Sequence, residues 1–224
     1  MSRGEPFMKS SSTVPKVSGH KHGRVPRAIR ELQILDIAEQ QFIDLGYEST
    51  TVESVRLAAG VSRPIIYDHY GSKDKLYLAC VKRARQQYEE KLIDLANLQL
   101  SPVESLARGA DLYLSIIEEN PKRWQALFGG SLVPMSGKLG DELSNVRHGT
   151  VELLAQLIQA QAPDTDPERV EAFALAVFAV GENMGRWWLR HPEIPRSRVL
   201  SHNLAFISNG LSQLANDELP SIQD

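Results

Sequence analysis

The stretch from Gly46 to Leu76, GYESTTVESVRLAAGVSRPIIYDHYGSKDKL, decides the fold of this chain. It contains two short segments with apolar residues at helical spacing, separated by the turn Gly60-Val61-Ser62, whose serine can cap the second segment. Ahead of the first segment, Thr50 stands three residues before Glu53, which is the spacing of a capping box. In the second segment, Pro64 lies in the first turn, where its missing N–H leaves no hydrogen bond unmade. Two short helices joined by a glycine-containing turn predict a helix-turn-helix unit, although helix pairs in other bundles share the pattern.

Helical patterns flank this unit on both sides. A longer amphipathic helix starts at Arg27 and is stopped by Gly46. After Gly71 the spacing is again helical, and no alternating run of polar and apolar residues indicates a strand. Three later helix starts carry a capping residue followed by proline, namely Ser101-Pro102, Asn120-Pro121 and Asp166-Pro167. We therefore expect an all-α fold of about nine helices, with a three-helix head that contains the helix-turn-helix unit at residues 25–75 and a larger helical body at residues 76–224.

Composition restricts the class of protein. The chain has 224 residues, of which 42% are hydrophobic and 24% charged, as is typical of a globular protein of one or two domains. Its longest apolar run, Ala172 to Gly181, is shorter than the ~18–20 residues that span a bilayer. Residues 1–23 lack the apolar core of a signal peptide. We expect a cytoplasmic protein without a membrane segment.

Charge is distributed unevenly along the chain. Residues 1–83 carry 13 Lys or Arg and 9 Asp or Glu side chains, whereas residues 84–224 carry 12 and 19. A basic head on an acidic body is typical of a protein that binds a polyanion. Residues 1–24 show no apolar periodicity and are predicted to form a flexible basic arm. This arm either contributes to binding or is a solvated tail without a partner.

Cysteine and histidine give no sign of a metal or redox site. The single cysteine, Cys80, lies among apolar residues and is interpreted as buried core. His20 and His22 have no Cys, Asp or third His nearby to complete a metal site. The sequence also lacks a convincing carboxylate pair and a Gly-rich phosphate loop. We therefore expect no catalytic residues, no metal and no cofactor.

The stretch from Gly46 to Leu76 strongly resembles the DNA-binding region of the TetR family of transcriptional regulators. The shared elements are Gly-Tyr after the first helix, Thr-Thr before the second, Ala-Gly-Val-Ser in the turn, and then Tyr-x-His, an aromatic residue, Ser-Lys and Leu. About fifty residues, Arg27 to Leu76, carry the resemblance, and the remainder agrees in length and helical character. The resemblance implies a homodimer that binds a palindromic double-stranded DNA operator and acts as a ligand-released repressor.

The resemblance also implies which residues contact DNA. Arg63 is the best candidate for a base contact, since a guanidinium can bridge O6 and N7 of guanine, whereas Ile65 could only meet a thymine methyl. Five further residues match positions that the family uses largely on phosphates: Thr50, Thr51, Tyr67, His69 and Lys73. Ser62 and Pro64 complete the leading turn of the recognition helix. His69 has a second interpretation, as a histidine packed and hydrogen-bonded within the head.

Two residues depart from the family pattern. Arg56 stands where the family usually has a small residue between the second and third helices, and Asp68 places a negative charge near a phosphate. Arg56 could extend outward to DNA, or the two could pair with each other. They also support an alternative function, a helical protein-interaction adaptor that keeps a vestigial DNA-binding head.

For the body, the resemblance implies a ligand pocket and a dimer interface. Six large side chains are predicted to line a pocket for an apolar small-molecule effector: Tyr113, Trp124, Phe128, Met184, Trp187 and Trp188. The alternative for each is ordinary core. Glu182 could hydrogen-bond a ligand or only pair with Arg186, four residues later.

A dimer interface is predicted from the last two helices. The helix from about Ser197 to Ala215 repeats apolar residues at steps of four and three: Leu200, Leu204, Ile207, Leu211 and Leu214. Such a seam needs a partner helix. The Ala- and Gly-rich helix Pro167–Arg190 would complete a four-helix interface between two copies, and packing within one chain is the alternative.

Overall fold

The computed structural model describes residues 25–129 and 136–216. Within these residues the chain forms nine α-helices and no strand, which confirms the all-α prediction. The helices are α1 (Arg27–Ser49), α2 (Val52–Ala59), α3 (Arg63–His69), α4 (Lys73–Ala96), α5 (Pro102–Glu119), α6 (Pro121–Leu127), α7 (Gly137–Gln161), α8 (Pro167–Trp188) and α9 (Arg196–Asn216). The predicted arm at residues 1–24, with His20 and His22, lies outside the described residues.

Helices α1 to α3 form the head, and two glycines set its geometry. Gly46 has φ 79° and interrupts α1, so the chain turns there as predicted. Gly60 has φ 62° and ends α2 in the left-handed conformation, which a residue with a Cβ adopts only with strain. These two positions fix the direction in which α2 and α3 leave the long first helix.

The cap of α2 differs from the prediction by one residue. The expected capping box between Thr50 and Glu53 is wrong, because Thr51 is the N-cap and exchanges hydrogen bonds with Ser54. Thr50 is instead fully buried, and its hydroxyl donates to the Gly46 carbonyl at 2.8 Å. The Thr50 backbone N–H donates to the same carbonyl at 3.3 Å, so Thr50 closes the end of α1 with both its hydroxyl and its amide.

The other predicted caps show one exception. Ser101, Asn120 and Asp166 each accept a hydrogen bond from the first turn of α5, α6 and α8, as predicted from the cap-and-proline pairs. Ser62 occupies the N-cap position of α3, but its side chain makes no capping hydrogen bond. Its hydroxyl is exposed at the start of the second helix of the unit.

Helix α4 connects the head with the body. Its 24 residues extend over about 36 Å and cross the predicted domain boundary between residues 75 and 76 without a break. One continuous apolar core surrounds it, including Ile34 and Phe42 of α1 and Trp124 of α6. Cys80 is part of this core, as predicted, and its burial raises the pKa of the thiol to about 12. The same apolar core therefore includes side chains of both the head and the body.

In the body, α8 and α9 pack against α7 and α5 respectively and against each other. The inner face of α9 carries Val199, Asn203 and Ile207, all buried, so Ile207 of the predicted seam is turned into its own chain. Leu200 and Leu204 are half-buried. The structure does not describe the side chains of Leu211 and Leu214. None of the helices in the described ranges is long and apolar enough to cross a membrane.

Candidate nucleic-acid interface and ligand cavity

The leading turn of α3 presents its side chains to solvent. Ser62, Arg63, Pro64 and Ile65 are all exposed, and Tyr67 follows on the same side with 45% of its surface accessible. The predicted core residues of this region are buried: Val61, Ile66, Tyr70 and Leu76. Within α3, Ile66 is buried, His69 is half-buried and the other five residues are exposed, so the helix packs through one side and leaves the opposite side open, as a recognition helix requires.

Arg63 is placed for a contact outside the chain. Its guanidinium lies 5.8 Å from the centre of the Tyr67 ring, one turn further along α3. No ion pair involves Arg63 within the described ranges. Stacking on an aromatic ring orients the guanidinium plane while leaving its N–H donors available. This arrangement suits a bidentate contact with a base edge.

The residues predicted to contact phosphates fall into two groups. Thr51, the α2 cap, and Tyr67 are exposed, and His69 is half-buried with no partner for its Nδ1 among the described residues. The second interpretation of His69, a histidine hydrogen-bonded within the head, is therefore not supported at Nδ1. Thr50 has no accessible surface, so its predicted phosphate contact is wrong, for the reason given above.

Lys73 has a structural role in addition to any phosphate contact. Its ammonium donates to the Tyr47 carbonyl at 3.2 Å and lies 4.2 Å from the centre of the Tyr47 ring. The Tyr47 hydroxyl in turn donates to Asp74 at 2.5 Å, and burial, together with this hydrogen bond, raises the pKa of the phenol. Lys73 therefore joins the start of α4 to the end of α1.

The two departures from the family pattern have separate partners. Arg56 pairs with Glu53 at 2.6 Å and donates to the Val61 carbonyl at 3.0 Å. Asp68 pairs with Arg27 at 3.0 Å. The expectation that Arg56 and Asp68 pair with each other is therefore wrong, because each has a closer opposite charge. The Arg27 cation offsets the negative charge that Asp68 adds beside the recognition helix.

A cavity of about 500 Å³ lies in the body between α4, α5, α7, α8 and α9. Its described lining is mostly apolar and includes no charged side chain. Small residues on two helices, Gly109, Ala110 and Gly181, leave the space that larger side chains would fill. The volume is within the usual range for sites that bind small molecules.

Only Tyr113 of the six predicted pocket residues lines this cavity. The other five are not part of this lining, and all five belong to or pack against the apolar core. Trp124 and Phe128 also border a second cavity of about 440 Å³, so the prediction that all six line one pocket is wrong. Trp124 is buried behind Tyr113 and donates from Nε1 to the Tyr113 hydroxyl at 3.1 Å. It fits there because a Cβ at Gly185 would stand only 2.9 Å from its ring.

The remaining four also have identifiable surroundings. Phe128 is buried under the guanidinium of Arg85, and Trp188 donates to the Ile194 carbonyl at 2.7 Å. Met184 and Trp187 are half-buried against the core, and Trp187 lies against the His191 ring. Other residues that do line the cavity, such as Tyr88 and Phe178, were not predicted from the sequence. The available signal was the set of glycines and alanines at helical spacing, not the large aromatics.

Glu182 has a structural explanation. Its side chain is buried and accepts hydrogen bonds from Arg85 at 2.9 Å, from Arg147 and from Arg186 at 3.3 Å. The bond to Arg186 confirms the predicted pair of these two residues. Arg85 is itself buried and lies between the Phe128 and Phe178 rings. The carboxylate therefore joins α4, α7 and α8 beside the cavity, and its oxygens are occupied by arginines.

An exposed recognition helix on a helical body with an apolar cavity defines the class of helix-turn-helix transcriptional regulators. The sequence family described as "Bacterial regulatory proteins, tetR family" matches residues 34–80. A second, described as "Tetracyclin repressor-like, C-terminal domain", matches residues 102–210. The chain therefore belongs to the TetR family and is a DNA-binding transcriptional regulator.

Individual relatives agree with this assignment. The HTH-type transcriptional activator FasR of Mycolicibacterium smegmatis is 23% identical over 198 residues, which cover 88% of this chain and 90% of FasR. A TetR-like regulator from a Rhodococcus species has a structure that superposes with a TM-score of 0.63 at 28% identity, covering 84% of this chain and 99% of that one. FadR of Bacillus subtilis, solved in complex with stearoyl-CoA, superposes with a TM-score of 0.64 at 16% identity over 84% of this chain and 99% of FadR, which shows a shared fold.

Proposed function

We propose that this protein is a cytoplasmic, homodimeric repressor that binds a palindromic operator and is released by a largely apolar small molecule. The observation that carries the proposal is the combination of a bare recognition helix in the head with an uncharged cavity in the body. Arg63 would read a base edge, while Thr51, Tyr67 and His69 would position the helix on phosphates.

The contact chain between cavity and head supports ligand release. Tyr113 lines the cavity and accepts a hydrogen bond from Trp124 of α6. The neighbouring Arg123 donates from Nε to Glu39 of α1 at 2.6 Å, and Arg83 of α4 holds the same carboxylate. A ligand that displaces the Tyr113 ring would therefore move α6, and α6 is bonded to the first helix of the head. Such a ligand weakens operator binding only if it favours the displaced arrangement.

Exposed apolar surface on the last two helices supports the homodimer. Leu175 of α8 is 55% exposed and Phe206 of α9 is 66% exposed. Between and beside them, Ala172, Ala176 and Ala179 of α8 also face solvent. Small and apolar side chains on two adjacent helices allow a second copy to pack closely. Two heads related by a two-fold axis would then meet half-sites one helical turn, about 34–36 Å, or a multiple of it apart.

Activation is the second candidate mode. The relative FasR, which matches almost the whole chain, is named as an activator, whereas the matched C-terminal family is named after a repressor. A reporter fused to the bound promoter distinguishes the two: deleting the regulator raises reporter output if it represses and lowers output if it activates.

The DNA-binding claim itself is tested with the DNA upstream of the protein's own gene. Footprinting should show one protected palindrome, and the complex should contain two chains by light scattering. Arg63→Ala should need a higher protein concentration than wild type to give the same footprint. The adaptor alternative, with a vestigial head, predicts instead that the wild-type protein binds this DNA no better than random DNA of the same length.

A further inference from the structure

Asn203 is a polar side chain of the cavity lining whose hydrogen bonding is incomplete among the described residues. Asn203 lies on the inner face of α9, between Val199 and Ile207, and is 3% exposed. It lines the cavity, and its Oδ1 atom has no hydrogen-bond partner among the described residues. A buried amide oxygen without a donor opposes folding, and leucine at this position would avoid that cost. The oxygen is therefore explained better by a ligand than by the stability of the chain.

The rest of the lining restricts which ligand can supply the donor. No Asp, Glu, Lys, Arg or His is present among the described lining residues, so a charge buried beside Asn203 would lack a counter-ion. A carboxylate would also place its negative oxygen against the amide oxygen. A neutral hydroxyl or amide N–H satisfies the same atom without either penalty.

The other polar side chains of the described lining are Ser105 near the start of α5, Gln161 at the end of α7, Thr165 between α7 and α8, Ser208 of α9, and the hydroxyls of Tyr88 and Tyr113. Gln161 is exposed, and its Nε2 donates to the Ser105 hydroxyl at 3.0 Å. The Tyr113 hydroxyl accepts from Trp124, whereas the oxygen of Asn203 is buried and has no partner among the described residues.

We propose that Asn203 selects the effector: the cavity takes a neutral, mainly apolar molecule whose hydroxyl or amide N–H donates to the Asn203 Oδ1. This inference rests on the proposed function, since it assumes that the cavity binds the effector. It makes Asn203 a specificity-determining residue, because removing it should change which ligands bind and not whether apolar molecules enter.

The test uses three probes of nearly equal apolar size: 1-octanol, its methyl ether and octanoate. Their dissociation constants are measured by calorimetry at pH 7 with the full-length protein and with Asn203→Leu. Wild type should prefer octanol over the ether by about twofold to tenfold, the contribution of one hydrogen bond, and should bind octanoate weakest. Asn203→Leu should bind both neutral probes and lose the preference between them.

Thermal unfolding gives a second readout that a purely structural residue would not produce. Without ligand, Asn203→Leu should unfold at least ~2 °C above wild type, because the unmatched oxygen is gone. The control Asn145→Leu, at an exposed position on α7 outside the cavity, should change neither the probe preference nor the unfolding temperature by more than ~1 °C.

The possible outcomes separate this inference from the proposed function. Equal binding of octanol and its ether by wild type, or an unchanged preference in Asn203→Leu, would overturn the role of Asn203 while leaving the cavity as a binding site. If wild type binds the ether more tightly than octanol, and Asn203→Leu does not, then the amide presents its N–H to the ligand. This result also overturns the proposal. If none of the probes binds, the cavity does not take apolar molecules of this size and the proposed function fails with it.

Discussion

Glu182→Gln removes the counter-ion of a buried arginine and should strongly destabilise the protein. The Arg85 side chain is 3% exposed and bonds Glu182 at 2.9 Å, while two of its nitrogens, Nε and Nη1, have no partner in the described ranges. Removing one partner of a buried ion pair costs about 3–5 kcal/mol. Arg147 and Arg186 add less, because their side chains are 26% and 32% exposed and water screens them.

Glutamine keeps one acceptor oxygen, so the loss should lie near ~3 kcal/mol, the lower end of that range. For a chain of this size, such a loss lowers the unfolding temperature by about 6–12 °C. Calorimetry measures this shift directly. The control is Glu152→Gln, since the Glu152 side chain is 61% exposed and its partner within the described residues is the exposed His148, and it should shift the temperature by no more than ~2 °C.

A second substitution tests the cause. Arg85→Met in the Glu182→Gln background removes the unpaired cation, and it should recover most of the lost stability. A Glu182→Gln protein that unfolds within ~2 °C of wild type, or a double variant less stable than Glu182→Gln, would refute the argument that an uncompensated charge at Arg85 sets the magnitude.

Three further substitutions test the interfaces. Arg63→Ala should lose about 1–3 kcal/mol of discrimination between operator and random DNA in competition binding, with unchanged unfolding temperature; equal weakening on both DNAs would assign Arg63 to phosphate instead. Phe206→Glu places a charge on the exposed face of α9 and should give monomers in light scattering at concentrations where wild type is dimeric, so a persisting dimer would place the interface elsewhere. Deleting residues 1–24, which carry five basic side chains and one acidic one, should weaken operator binding at low salt and less so at high salt; unchanged affinity at low salt would make the arm a passive tail.

The head was predictable from sequence because its signals are local. Gly60 requires a left-handed turn, Pro64 fits a first helical turn, and the apolar Ile66 that anchors α3 stands among exposed residues within seven positions. Thr50 escaped prediction because its burial depends on the conformation of Gly46, four residues earlier, and no pattern of residue types specifies that hydrogen bond.

The cavity was not predictable from its aromatic residues because a cavity is space that side chains leave unfilled. Trp124 and Phe128 fill the core, since large apolar side chains stabilise the chain most where they pack completely. The open space beside Tyr113 instead depends on how five helices face one another and on glycine at position 181. The place of Asn203 in the lining likewise follows from which face of α9 packs inward, and the apolar spacing of the helix alone left this undecided.

Ligand release of operator DNA is tested most directly by one linkage measurement. Compounds that quench the fluorescence of the three tryptophans are selected first, since Trp124 bonds a residue of the cavity wall. Operator affinity is then measured by anisotropy with and without a saturating compound, and compound affinity with and without operator. Ligand release predicts that operator binding weakens about 5- to 150-fold and that the operator weakens compound binding by the same factor. Compounds that bind in the cavity while operator affinity stays unchanged would contradict it and indicate a regulator that binds DNA constitutively.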